Sequence, residues 1–126
     1  MHQQLRPTRA RRLVLFAVLL AACSGPPTTV DRITIANPTD YELDTEVTGR
    51  DRQGWLPLAI AKAGSEVVVR EVIDQGEQWI IRFLHWGDPV GELSVTRGEL
   101  ERSGWRVGVP EQIGERLQQL GRPPSV

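Results

Sequence analysis

Apolar residues in the body of this chain recur at every second position, a period that points to strands rather than helices. Tyr41, Leu43, Thr45 and Val47 fall on one face, and Glu42, Asp44, Glu46 and Thr48 on the other. That is the pattern of a strand with one face in a core and the other in water. Ile33 and Ile35 alternate in the same way just before it. Between the two runs stands Asn37-Pro38-Thr39-Asp40, where proline presets φ and the Asn and Asp side chains bond nearby backbone, so residues 30–48 read as a hairpin.

The period continues downstream. Trp55 to Ala61 reads as a third strand, and Pro57 sends it to a sheet edge or a strand start because proline supplies no ladder donor. Val67 to Ile73 is a fourth, with a change of face at Arg70-Glu71 that a bulge would reconcile. Trp79-Ile80-Ile81-Arg82-Phe83-Leu84 is apolar on both faces and is expected to be the most buried strand, after which Gly87-Asp88-Pro89 turns the chain into Val90 to Val95. Thr96-Arg97-Gly98-Glu99 fits a capping box and predicts a short helix near 97–103 that ends at Gly104. Trp105, Val107 and Val109 give a seventh strand, and Pro110 opens a helix near 110–120 with Ile113, Leu117 and Leu120 on one face and Gly121 as its stop.

Seven short strands with regular turn signals predict a mainly-β, two-sheet sandwich over residues 30–120. The alternative is a small α+β roll or barrel. Ile33-x-Ile35-x-Asn37-Pro38-Thr39-x-Tyr41 resembles the first hairpin of immunoglobulin-like bacterial extracytoplasmic domains, which implies an immunoglobulin-like version of the sandwich. Residues 121–126 read as a flexible tail.

The first 22 residues obey a different rule. Arg6, Arg9, Arg11 and Arg12 precede an apolar stretch from Leu13 to Ala22, the layout of an export signal. The stretch is about half of the roughly 20 residues a membrane-spanning helix needs. It closes on Leu20-Ala21-Ala22-Cys23, which resembles the lipobox of bacterial lipoproteins. The resemblance covers residues 1–23. It implies a diacylglyceryl group on the Cys23 thiol, removal of residues 1–22, Cys23 as the mature N-terminus, and the membrane as a partner. Cys23 is the only cysteine, so it closes no disulfide within the chain, and lipidation gives a use to a thiol otherwise exposed to oxidation. Residues 23–29 then form the lipidated Cys and its tether. Ser24 is not the aspartate tied to inner-membrane retention, so the family rule implies outer-membrane sorting in a Gram-negative envelope and the plasma membrane in a Gram-positive one. Arg11-Arg12 leaves both the general secretory and the twin-arginine routes open.

From Cys23 onward, eleven basic residues face sixteen acidic ones. That acidity argues against nucleic acid or an anionic lipid surface as the main partner, since both are met by basic patches. Metal and cofactor chemistry is poorly supplied. His85 is the only histidine after residue 22, and no Cys-x-x-Cys or His-Glu-x-x-His spacing occurs, so neither copper nor zinc is expected. Asp40, Glu42, Asp44 and Glu46 project in parallel from a strand, where calcium would need them to converge. No cofactor is expected.

Catalysis is not expected either. Ser65, His85 and Asp74 or Asp88 supply the residue types of a hydrolase triad without the Gly-x-Ser-x-Gly elbow, and Asp74 and Glu77 flank a tight turn that offers no cleft for a glycosidase pair. Trp79 and Trp105 lie in alternating apolar runs and read as core. Trp55 and Trp86 border turns, and His85-Trp86-Gly87-Asp88 gathers an imidazole, an indole and a carboxylate at one loop tip. Trp55, His85, Trp86 and Asp88 are therefore the candidate binding residues. The expected function is a lipid-anchored binding or accessory module of the cell envelope with a protein partner. A structural spacer or a small envelope hydrolase are the alternatives.

Overall fold

A computed structural model describes residues 27–125. Leu20, Ala21, Ala22, Cys23 and the rest of residues 1–26 lie outside the described residues, as does Val126. The period-two runs form seven strands: β1 (Thr29–Asn37), β2 (Leu43–Thr48), β3 (Leu56–Ala61), β4 (Ser65–Ile73), β5 (Gln78–His85), β6 (Asp88–Thr96) and β7 (Arg106–Gly108). Helix α1 (Arg97–Arg102) separates β6 from β7, and α2 (Glu111–Gln119) follows. The strands make two sheets, β4-β1-β7 and β3-β2-β5-β6, antiparallel except for the β1–β7 pair. Ile33, Ile35, Leu43, Val47, Trp79, Ile81 and Phe83, drawn from both sheets, are wholly buried in one shared core. The result is a mainly-β, two-sheet domain with two short helices, as the alternation predicted.

The expected hairpin over residues 30–48 does not form. β1 pairs with β4 and β7, β2 pairs with β3 and β5, and the segment between them crosses from one sheet to the other. Asn37 explains the crossing. Its buried amide donates to the Tyr41 carbonyl at 2.7 Å and the Ala61 carbonyl at 2.9 Å, while its Oδ1 accepts from the Thr39 N–H at 3.0 Å and the Thr39 hydroxyl at 2.7 Å. A side chain thus satisfies the backbone where a ladder would otherwise be needed.

Both edge strands of the four-stranded sheet carry a proline with a one-residue irregularity beside it. Pairing passes from Thr45–Ala59 to Glu46–Pro57 with Leu58 unmatched, and from Phe83–Gly91 to Leu84–Pro89 with Val90 unmatched. The face change expected at Arg70-Glu71 is present, with Val69 half-buried, Arg70 and Glu71 exposed and Val72 buried. No register shift accompanies it, because β1 changes face opposite, at Asp31-Arg32.

Capping fixes both helices. Thr96 Oγ1 accepts the Glu99 N–H at 3.1 Å and Glu99 returns the bond to the Thr96 N–H at 2.8 Å, the reciprocal box read from the sequence. Helix α2 buries Ile113 and Leu117 against the sheets; Leu120 lies at the C-cap, where the last turn leaves the core, and is exposed contrary to expectation. Its seat requires glycine at 91, since a Cβ there would stand 2.9 Å from the Ile113 side chain. The helix ends with Gly121 N–H bonded to the Gln118 carbonyl and Arg122 N–H to the Leu117 carbonyl, a Schellman turn that aims the chain back at the sheets.

Residues 121–126 were expected to be a flexible tail. Through Ser125 they are instead a strap. The Tyr41 hydroxyl donates to the Arg122 carbonyl at 2.9 Å, the Ser125 N–H donates to the Asp40 carbonyl at 2.8 Å, and the Glu42 N–H donates to Ser125 Oγ at 2.8 Å. Pro123-Pro124 is stiff between those anchors, so little chain entropy opposes them.

Candidate functional site

The crossing segment, the β5–β6 turn and the strap meet at one end of the domain. The turn has two residues, Trp86 and Gly87, with φ +51° and +83°, and His85 pairs with Asp88 across it. Positive φ at both positions is the hairpin geometry that matches strand twist, and its first position favours Asn or Gly. Trp86 occupies that position at a steric cost of roughly 1–2 kcal/mol and is 72% exposed, the most exposed large apolar side chain among the described residues.

The indole rests on a built shelf. The His85 ring stacks beneath it, with centroids 4.5 Å apart and planes at 26°, and His85 itself is 1% exposed. Tyr41 meets the imidazole at right angles, ring centroids 5.6 Å apart. Arg122 joins the group from the strap: its guanidinium donates to His85 Nδ1 at 2.8 Å and to Asp88 at 3.1 Å, and lies 5.3 Å from the Trp86 ring. An imidazole that accepts from arginine carries its proton on Nε2 and is neutral. Burial first, and then the Arg122 charge, push the His85 pKa below its ordinary 6.5, with Asp88 acting the other way.

This sets a sign for pH. Because the folded-state pKa is depressed, the stability contributed by neutral His85 is complete above about pH 6.5 and is lost as pH falls from there through the folded value. Asp74, Glu66 and Glu99 are carboxylates held below their own ordinary values, so their losses come at more acidic pH. Urea midpoints should begin to fall just below pH 6.5 in the wild type, and His85→Phe should flatten that part of the curve whatever its own stability.

Beside the shelf runs a groove of about 280 Å³ lined by Glu42, Asp44, Leu84, Trp86 and Ser125. On the other side of the strap a second groove of about 360 Å³ includes Asp40, Tyr41, Glu111, Glu115 and Arg122. Carboxylates line both, and the one cation among their lining residues, Arg122, is engaged by His85 and Asp88.

Of the four residues singled out from sequence, three come together: His85 as the buried shelf, Trp86 as the exposed plate, Asp88 as the rim. Trp55 does not join them. It lies half-buried over the outer face of the four-stranded sheet, with the Arg82 guanidinium 4.1 Å and that of Arg52 5.5 Å from its ring. Arg82, on β5, is four residues before the turn residue Trp86, a span of about 13 Å. Those arginines are held in turn, Arg82 on Glu46 at 2.7 Å and Arg52 forked onto Glu92. Arg122 and Tyr41 are the residues that sequence reasoning missed. The available signal was Gly121-Arg122-Pro123-Pro124, a helix stop followed by a stiff extended pair that holds whatever flanks it.

Of the groups named for hydrolysis, Ser65 and Asp74 are far apart. Ser65 and Asp74 stand at the start and just beyond the end of nine-residue β4, about 30 Å apart at the rise of a strand. Ser65 donates to the Lys62 carbonyl, and both Asp74 oxygens are taken by Arg97 at 2.7 and 2.9 Å, which holds that carboxyl below its usual range. Among the described residues no three His, Cys, Asp or Glu side chains are placed to share a metal ion. No family model, curated protein or solved structure matches the chain.

Proposed function

We propose that this chain is a lipid-anchored recognition module of a bacterial cell envelope, tethered through Cys23, that grips an envelope protein with the tip of the β5–β6 hairpin. One observation carries the binding half of the proposal: Trp86 is 72% exposed on a strained backbone and is backed by the buried His85 ring and by Arg122. A large aromatic held rigid before binding loses little entropy when a partner closes on it, which is the economy of an interface anchor. The rim of Asp40, Glu42, Asp44 and Asp88 suits a basic partner segment with an apolar pocket for the indole.

We read the domain further as immunoglobulin-like. The order β4-β1 against β3-β2-β5-β6 is that of strands E-B and C′-C-F-G in an immunoglobulin sandwich, while β7, parallel beside β1, departs from the pattern. In that frame the crossing segment is the B–C loop and the Trp86 turn the F–G loop. Those loops share one end of the sandwich, the end variable domains use for binding.

Anchor and grip are tested separately in the native host. Cys23→Ala should abolish both incorporation of labelled fatty acid and cleavage of residues 1–22, and labelling that persists would sink the anchor. A photo-crosslinker at Asp88 should yield one discrete protein adduct, whereas one at Ser94, exposed on β6, should yield background only. Equal background at both positions would remove the hairpin tip from consideration.

A further inference from the structure

Strand β4 is the outer strand of its sheet, and the register shows which of its groups face the open edge. On β1, the Thr34 N–H donates to the Trp105 carbonyl and the Ala36 carbonyl accepts from the Val109 N–H, so from Ile33 to Asn37 the backbone groups of even-numbered residues point toward β7 and those of odd-numbered ones toward β4. In the antiparallel register Ser65, Val67 and Val69 meet Asn37, Ile35 and Ile33 and give their backbone groups to β1. Glu66, Val68 and Arg70 therefore present N–H and carbonyl groups outward. Their side chains share the outer face, where Val68 is 47% exposed.

The other edges are defended. β3 carries Pro57 and β6 carries Pro89, each beside an unmatched residue, and β7 is three residues long. β4 has nine residues, a run of three valines and no proline, and only Glu71, at φ +54° just beyond Arg70, interrupts it. The charge order along its outer face is self-complementary: Glu66, Val68, Arg70. Arg70 stands opposite Arg32 of β1, with no carboxylate among the described residues within ion-pair reach. Both Glu66 oxygens accept from Arg106, and the carboxylate remains about half exposed, open to a second cation.

We infer that β4 is the surface through which the chain pairs with a second copy of itself, edge to edge and antiparallel, about a two-fold axis at Val68. The axis sets Val68 against Val68 and each Glu66 against Arg70 of the other copy, giving the uncompensated arginine its carboxylate twice over. The outward backbone groups of Glu66, Val68 and Arg70 complete a continuous six-stranded sheet. The isologous contact uses up the long edge, so the assembly closes at two.

Sedimentation equilibrium of the full-length chain in density-matched detergent tests this. The wild type should be dimeric at about 100 μM, within the affinity range of a small protein interface. Val68→Pro removes an N–H that β1 does not use, and should give a monomer with an unchanged melting temperature. Arg70→Glu should weaken pairing at least tenfold by opposing carboxylates at both ends. Adding Glu66→Arg to it reverses both charges and should restore pairing to within about threefold of wild type. A monomeric wild type, a dimer indifferent to Val68→Pro, or a double reversal no better than Arg70→Glu would each overturn the inference. If Val68→Pro unfolds, the charge reversal decides alone.

Discussion

Phe83→Ala should cost about 3–5 kcal/mol of folding stability. Phe83 is wholly buried on the inner face of β5, opposite Thr45 of β2 and Gly91 of β6. Gly91 bears no side chain, and the Ile113 side chain of α2 occupies the space above it, so few groups nearby are free to relax into the vacancy. A cavity that cannot collapse lies at the upper end of the range for large-to-small substitutions. Set against a total of about 5–15 kcal/mol for a domain this size, that loss leaves the fold marginal. Chemical denaturation reads it directly, and a loss below about 1 kcal/mol would mean the strand is not packed as described.

Asn37→Ala should cost about 3 kcal/mol, although it removes far less apolar surface. The Tyr41 and Ala61 carbonyls each lose a donor, and the Thr39 N–H loses its acceptor, in a site where Asn37 is 1% exposed. Each buried group left without a partner costs roughly 1–3 kcal/mol, while the Tyr41 carbonyl keeps the Thr39 hydroxyl as a donor at 3.2 Å. Asn37→Asp is the sharper variant. It keeps the shape but sets a carboxylate against two carbonyl oxygens, so it should be less stable than Asn37→Ala at neutral pH. Its folded-state pKa would be raised, and stability should return as pH falls and the carboxyl protonates. If Asn37→Asp is as stable as wild type at pH 7, the side chain does not pin the crossing between the sheets.

The contrast between these residues shows what local pattern carries. Phe83 was legible because period-two alternation and an apolar run on both faces describe a central strand wherever its neighbours lie. The capping box of α1 was legible because both partners lie within four residues. Asn37 was misread because Asn-Pro-Thr-Asp has the same turn chemistry whether the next strand returns beside the first or crosses to the other sheet. The difference rests on the bond to Ala61, 24 residues away. Arg122 was missed for the same reason. Its partners, His85 and Asp88, are 37 and 34 residues distant, and Gly121-Arg122-Pro123-Pro124 marks a held segment without naming what holds it. His85, Trp86 and Asp88 were found together because a two-residue turn keeps them adjacent in sequence as well as in space.

Trp86 is where fold and proposed function pull apart, and one substitution separates them. Asn suits a left-handed first turn position better than Trp, so Trp86→Asn relieves backbone strain while it removes the plate from the His85 shelf. Its melting temperature and its yield of the partner adduct formed from Asp88, measured on the same samples, decide whether the hairpin tip binds. The expected result is a stability change within about 1 kcal/mol of wild type and a loss of capture equivalent to 2 kcal/mol or more, about thirtyfold in affinity. A variant that melts far below wild type, or one that captures the partner undiminished, would contradict it.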